Sequence, residues 1–310
     1  MKRNTLPSFL GNLVLRAYEK CVPQRIRTGF HNRWYVRHAA RWAQIRDTPQ
    51  SVERTIGPDL RMKLYGDSQL CEMLYFGEFE TETRNFFDAF LRPGDTFLDI
   101  GANVGLYTLA AARAVGPGGS VHAFEPCSKT FGRLADNVKL NALPNVHCHR
   151  VALSHEDAEA LLKLAGGGFD AWNSLGKPYM GEEIGSETVT TLTLDSFARQ
   201  HRLVPGNCVA KVDVEGWENQ VLLGAREFLS GADAPPLCVE FTEEAAQAAG
   251  SSCAAMYRTL AALGYQMLDI ENGPGELREF PLCDTFPHIN LLATKDPAAV
   301  RARLSAHRKS

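Results

Sequence analysis

The residues of this chain best suited to chemistry are charged groups set at the ends of short apolar runs. Residues 208–214 carry Lys211 and Asp213 and run into Glu215-Gly216, and Leu237–Phe241 carries Glu240. Alternation along a strand sends Lys211, Asp213 and Glu215 to one face. Three charges beside the end of a buried strand are costly without a partner or a purpose. A carboxylate there can take the proton of a hydroxyl, which is a poor nucleophile near neutral pH. Asp213 is the candidate base, Lys211 the group that holds or orients its charge, and Glu215 their neighbour. Asp213 and Glu240 together also make a hard-oxygen pair suited to Mg²⁺. The competing account is a structural Lys–Asp–Glu network that seats the helix around Trp217.

A second constellation lies upstream. Asp99 ends the run Thr96–Ile100 and is followed by Gly101-Ala102-Asn103-Val104-Gly105, and the run Ser120–Phe124 is followed by Glu125-Pro126. A dinucleotide site places a second glycine where Asn103 stands, so that a pyrophosphate can pass close to the backbone. The G-x-x-x-G turn suits instead an amino-acid tail: Asp99 to take its ammonium, and the amides of Gly101, Ala102, Asn103 and Gly105 to take its carboxylate. Glu125 at the next strand end is placed to accept from two ribose hydroxyls. Together these features predict a nucleoside bearing an amino-acid tail, with S-adenosylmethionine the best candidate. Pro126 and Ala152 are expected beside the base. Glu80, ahead of a helix over 83–91, either reaches the cofactor tail or complements the helix dipole.

The elements that position these groups alternate. Residues 96–100, 120–124, 146–153, 208–214 and 237–241 read as strands, as do 188–193, 266–270 and 289–293. Helical spacing recurs at 106–115, at Phe131, Leu134, Ala135 and Val138, at 194–201, at Trp217, Val221, Ala225 and Phe228, and at Met256, Tyr257, Leu260 and Leu263. This is an α/β pattern, a mostly parallel sheet with helices on both faces. Ligands of such sheets bind beyond the carboxyl ends of the strands. Glycines and Pro178 mark a loop-rich insertion at about 163–190, whose Asn173 and Ser174 are expected to border an acceptor, while His288 and Asn290 flank the last strand.

The formal charge is -3, yet residues 1–50 carry ten Lys/Arg against two acids. Such an arm either touches an anionic surface such as a membrane or docks on the acidic remainder. No nucleic-acid partner is expected. The eight cysteines form no C-x-x-C pair, which suits a reducing compartment. Leu6–Leu15 is too short and interrupted for a signal or a membrane span, so the cytoplasm is expected. The organisation reads as a basic, partly helical extension (1–70), a catalytic domain (71–296) and a basic C-terminal tail (297–310).

With these residues in place the chain resembles the FkbM family of methyltransferases. The resemblance lies in Phe76-Gly77-Glu78-Phe79-Glu80, in Asp99 to Gly105, in Phe124-Glu125-Pro126 with Asn137-x-x-x-Asn141, in Leu194-Asp195-Ser196-Phe197, and in Lys211 to Glu218 with Val221-Leu222-x-Gly224-Ala225. Trp217 stands where Phe or Tyr is more usual. The resemblance covers about residues 75–295. It implies a class I, Rossmann-like methyltransferase fold with a seven-stranded sheet whose last strand is antiparallel. It also implies O-methylation, often of a sugar, glycan or secondary-metabolite hydroxyl. An NAD(P)-linked oxidoreductase and a non-catalytic module tethered by the basic arm are the alternatives from other classes.

Overall fold

The computed structural model describes residues 38–57, 59–77, 79–271 and 277–307. The chain divides into two units, Met1–Arg46 and Asp47–Ser310. In the smaller unit residues 38–43 are helical, and the rest of the basic arm lies outside the described residues.

The larger unit is built on one eight-stranded sheet of order β12-β11-β13-β10-β9-β3-β4-β5. Its strands are β3 (Thr96–Ile100), β4 (Ser120–Phe124), β5 (Val146–His149), β9 (Cys208–Val212), β10 (Leu237–Phe241), β11 (Gln266–Asp269), β12 (Arg278–Glu279) and β13 (Ile289–Thr294). β3 pairs in parallel with β4 and β9, and β9 with β10, while β13 is antiparallel to β10 and β11. Apart from the two-residue edge strand β12, this is the class I methyltransferase arrangement of seven strands with the last antiparallel. β9, β10 and β13 are buried at every position. Covered on both faces, such strands read as unbroken apolar runs. The chain moves outward from β3 to β5 and returns to β9 on the other side of β3, so the order reverses between β3 and β9. A crevice opens at such a reversal.

Helices α1 (Gln69–Phe76), α2 (Thr81–Phe90), α3 (Leu106–Val115), α4 (Ser128–Leu140), α5 (Leu194–His201), α6 (Glu218–Leu223), α7 (Glu243–Ala248), α8 (Cys253–Ala262) and α9 (Pro297–His307) fill the connections. The tail expected beyond residue 296 is therefore helical, and it is fastened: Arg303 donates through Nε to the Phe90 carbonyl at 2.7 Å and pairs with Asp95.

Residues 47–70 belong to the larger unit, not to an extension. Ser51–Thr55 (β1) and Arg61–Tyr65 (β2) form an antiparallel hairpin, held by the Asn137-x-x-x-Asn141 pair. Two asparagines four apart share one face of α4, and two strand residues two apart share one edge of β2. Asn137 Oδ1 accepts from the Lys63 amide at 2.7 Å and Asn141 Oδ1 from the Arg61 amide at 2.8 Å, while Asn141 Nδ2 donates to the Arg61 carbonyl at 2.6 Å. The asparagine side chains thus occupy the exposed edge of the hairpin as a neighbouring strand would.

The insertion is also more regular than expected. Ala158–Ala165 (β7) and Glu183–Leu192 (β8) pair antiparallel, and β8 pairs with Ala152–Leu153 (β6) in a separate three-stranded sheet. The stretch read as one strand over 146–153 is split between the two sheets as β5 and β6.

Candidate active site

Two cavities meet at the reversal point. The first has Phe124, Val151, Ala152, Leu153, Leu162 and Leu175 as apolar lining, with Glu125, Pro126 and Trp217 beside them. The second reaches from Leu70 and Phe79 to Tyr107 and Lys211. Gly101, Asn103, Ala171, Asp213 and Glu215 line both, so the two form one cleft. The strand ends supply the floor. The insertion supplies a wall through Leu162, Asp170, Ala171, Asn173 and Leu175.

At the first corner Glu125 is buried and accepts from the amides of Asn103 (3.1 Å) and Cys127 (2.9 Å). Burial pushes its carboxyl up to about 8, against the pull of these two amides. Glu125, Pro126 and Ala152 stand where the sequence places them, along the first cavity.

The turn residues of this corner also carry structural duties within the chain. The amides of Gly101 and Ala102 donate to the Phe124 carbonyl, that of Asn103 to Glu125, that of Val104 to Asn103 Oδ1 and that of Gly105 to the Ala102 carbonyl. Gly101 has φ +90°, and a Cβ there would fall on the Asp213 carbonyl oxygen. Gly105 likewise serves packing, since its Cβ would meet Leu134 at 2.8 Å, and it lines neither cavity. Asp99 lies beneath the corner. Its Oδ2 accepts from the Thr108 hydroxyl at 2.5 Å, burial raises its carboxyl to about 6, and it lines neither cavity.

At the other end Lys211, only 3% exposed, donates to Asp213 Oδ2 and lies 3.8 Å from Glu80 Oε2 and 4.6 Å from the centre of the Tyr107 ring. The two carboxylates hold the ammonium well above its usual value despite burial. Glu80 is the hub of this end. Its Oε2 accepts from Tyr107 at 2.5 Å and its Oε1 from Asn290 Nδ2 at 2.9 Å. Its backbone is left-handed, φ 42°, a strained state that persists where surroundings over-determine it. Glu80 therefore braces α3, β9 and β13, and it lines neither cavity. Its neighbours Phe79, Tyr107 and Lys211 line the second cavity.

Glu215 follows with φ 55° and a buried Oε2 that has no hydrogen-bond partner. Its carbonyl accepts from the buried Ser174 hydroxyl at 2.8 Å, which fastens the insertion to the turn after β9. Ser174 is thus a tether, while Asn173 borders the cleft and accepts from the Ala165 amide at 2.9 Å. Glu240 is buried behind Asp213. One oxygen of each of Asp213, Glu218 and Glu240 lies within 4.8 Å of the others. His288 Nδ1 shares a hydrogen bond with Thr242 Oγ1 at 2.6 Å and lies 3.5 Å from Glu240 Oε1.

Sequence reasoning missed Tyr107, Glu218 and Tyr179. Tyr107 is one more apolar-looking position of α3. Glu218 accepts at Oε1 from the amides of Val214 (2.8 Å) and Gly216 (3.1 Å). An acid in a first helical turn is an ordinary capping signal, so nothing marked it. Tyr179 sits in the insertion, and its hydroxyl accepts from Trp172 Nε1 at 2.9 Å. Burial raises the Tyr179 phenol, and the nearby carboxylates Glu215, Glu240 and Asp213 raise it further.

The family profile described as the methyltransferase FkbM domain matches residues 99–267, more than half of the chain. The 31-O-demethyl-FK506 methyltransferase FkbM of Streptomyces tacrolimicus is 32% identical over 166 residues, which span 44% of this chain and 62% of that protein. The chain therefore matches less than two thirds of that relative's length. Among solved structures, a methyltransferase FkbM from Methylobacillus flagellatus KT is 13% identical (TM-score 0.41, 72% of this chain and 52% of that one). A SAM-dependent O-methyltransferase from Thermotoga maritima is 16% identical (TM-score 0.41, 80% and 77%). On the strength of the profile match, which takes in both strand-end corners of the cleft, the chain belongs to the FkbM methyltransferase family.

Proposed function

We propose that this chain is an S-adenosylmethionine-dependent methyltransferase that O-methylates a hydroxyl of a sugar, glycan or secondary metabolite. The observation that carries the reading is the single cleft in which Asp213 and Glu215 line both cavities, with Glu125 and the apolar slot on one side of them and Lys211 and Tyr107 on the other. The residues fit the cofactor in two respects. Leu153, Phe124 and Val151 offer an apolar slot for a purine, and the buried Glu125 carboxylate is an acceptor for ribose hydroxyls. When bound, S-adenosylmethionine supplies an activated methyl group.

The chain's own residues then deal with the acceptor. A hydroxyl lying against Asp213 and Glu215 passes its proton to this carboxylate pair as the new bond forms. Lys211, held by Asp213 and Glu80, fixes where the Asp213 charge sits. Hydroxyl as the acceptor is supported by this carboxylate-lined end and by the O-methyl activity named for the Streptomyces relative. The acceptor enters beside the insertion, whose Asn173 and Leu175 border the cleft.

No helix among the described residues is long and apolar enough to cross a membrane. The reading places the chain in the cytoplasm, with peripheral membrane contact assigned to the basic arm. Isothermal titration with S-adenosylmethionine tests the core of the reading. Micromolar binding to the intact chain, lost in Glu125→Ala, is expected. Absence of binding, or binding of NAD(P) in its place, overturns it. Transfer of a methyl to a candidate polyol, followed by mass spectrometry and abolished in Asp213→Asn, tests the acceptor.

A further inference from the structure

Three carboxylates lie together at the junction of β9, α6 and β10, and two of them already accept hydrogen bonds. Asp213 Oδ2 accepts from Lys211. Glu218 Oε1 accepts from the amides of Val214 and Gly216. Glu240 Oε1 faces His288 at 3.5 Å, and its Oε2 has no hydrogen-bond partner although Glu240 is only 4% exposed. An oxygen of each residue lies within 4.8 Å of the other two. Hard divalent cations take oxygen ligands at about 2.0 to 2.6 Å, and three oxygens this close to one another are candidates for one coordination sphere.

Among the described residues Lys211 is the one buried ammonium against this cluster, and it is shared with Glu80. Glu215 Oε2, Glu243 Oε2 and Asn290 Oδ1 are buried acceptors without donors. Water bound to a cation turns its oxygen to the ion and presents only donors outward. A hydrated divalent cation therefore supplies what both the carboxylates and these acceptors lack. Carboxylate-only ligation selects magnesium, manganese or calcium over softer metals.

We propose that Asp213, Glu218 and Glu240 each give one carboxylate oxygen to one hard divalent cation at the Asp213 end of the cleft. The inference deepens the hydroxyl-methylation reading and rests on it: a hydroxyl bound to such an ion loses its proton more readily. With Asp213 serving as a ligand, the proton passes to Glu215, whose free Oε2 is close by. Glu218 closes the Lys211-to-Glu218 stretch without having been given a site role there, and the amides of Val214 and Gly216 fix its carboxylate beside Asp213 and Glu240.

Mn²⁺ binding to the full chain, followed by loss of the free-ion paramagnetic resonance signal, tests this. One ion per chain, displaced by Mg²⁺, is expected. Glu240→Gln and Glu218→Gln should each weaken binding at least tenfold, and Glu187→Gln, on strand β8 of the insertion, should leave it unchanged. A glutamine at 218 still offers an oxygen to the two amides, so that variant keeps its fold, and Asp213→Asn provides an isosteric third case. No saturable binding, or equal binding in all three site variants, overturns the inference. Titration of S-adenosylmethionine on the same samples separates the two readings. Nucleoside binding without Mn²⁺ binding defeats the cation site alone. Mn²⁺ binding without nucleoside binding defeats the function and leaves the cation site standing.

Discussion

The amide of Asn103 donates to Oε2 of Glu125 at 3.1 Å, which ties the turn after β3 to the end of β4. Glu125 is thus held by the turn it was expected to work beside. Replacing it with glutamine puts an NH₂ group before two backbone donors. A hydrogen bond to a charged group contributes about 1.5–3 kcal/mol, so Glu125→Gln should weaken S-adenosylmethionine binding by at least about tenfold. Calorimetric titration reads this directly, and an affinity within twofold of the parent would remove the ribose role.

Gly101 and Asp213 are in backbone contact across β3 and β9. Gly101→Ala forces both a left-handed alanine and a displaced Asp213 carbonyl. We expect a loss of about 2–4 kcal/mol in urea unfolding, together with loss of transfer activity, because the displaced carbonyl belongs to a site residue. A stable, active Gly101→Ala protein would show that the two strand ends move independently.

Lys211 is the buried cation between Glu80 and Asp213. Lys211→Met leaves carboxylates buried without a counter-charge, which costs about 3–5 kcal/mol. Adding Glu80→Gln should recover part of that loss, since a neutral amide still serves Tyr107 or Asn290. Denaturant melts of the two single variants and the double variant give the coupling. Strict additivity would mean that Glu80 and Lys211 do not act as a pair.

The outer strands carry an independent titration. His122 Nδ1 and His149 Nε2 share a hydrogen bond at 3.1 Å, and His147 and His201 lie against the same ring. Burial lowers His122 to about 3 and His149 to about 4, helped by the neighbouring imidazoles. In the unfolded chain both titrate near 6.5. Between those limits the unfolded state binds more protons, so stability should fall as pH drops from about 6.5 towards 4. His122→Phe should reduce the slope of stability against pH by about one proton. An unchanged slope would place the effect on other groups.

Much of the frame was legible because the central strands are buried on both faces and announce themselves as apolar runs. The edges were not. β1 buries only Val52 inward, and the hairpin depends on asparagines more than seventy residues away. β7 reads Ala-Glu-Ala-Leu-Leu-Lys-Leu-Ala, a composition that favours helix, yet its ladder with β8 overrides that preference. α6 ends at Leu223 where spacing predicted a helix to Phe228, and a Cβ at the Gly224 that follows would fall on the Ser154 carbonyl oxygen.

In the site, strand-end position located Glu125, Asp213, Lys211 and Glu215 correctly along the cleft. It could not tell Asp99 from them. Both faces of β3 are covered, so alternation does not say which carboxylate meets the cleft and which meets Thr108. The roles of Glu80 and Glu218 depend on partners distant in sequence or on backbone amides, and neither leaves a trace in residue spacing.

The three-stranded sheet of the insertion keeps its own ladder, and Ser174 fastens it to the Glu215 carbonyl. A graft that exchanges strands β7 and β8 for a hairpin of another length would leave every rung of the main sheet intact. The same graft would rebuild the wall that Leu162, Asp170 and Leu175 give to the cavity beside Glu125, so insertion and Glu125 corner change together.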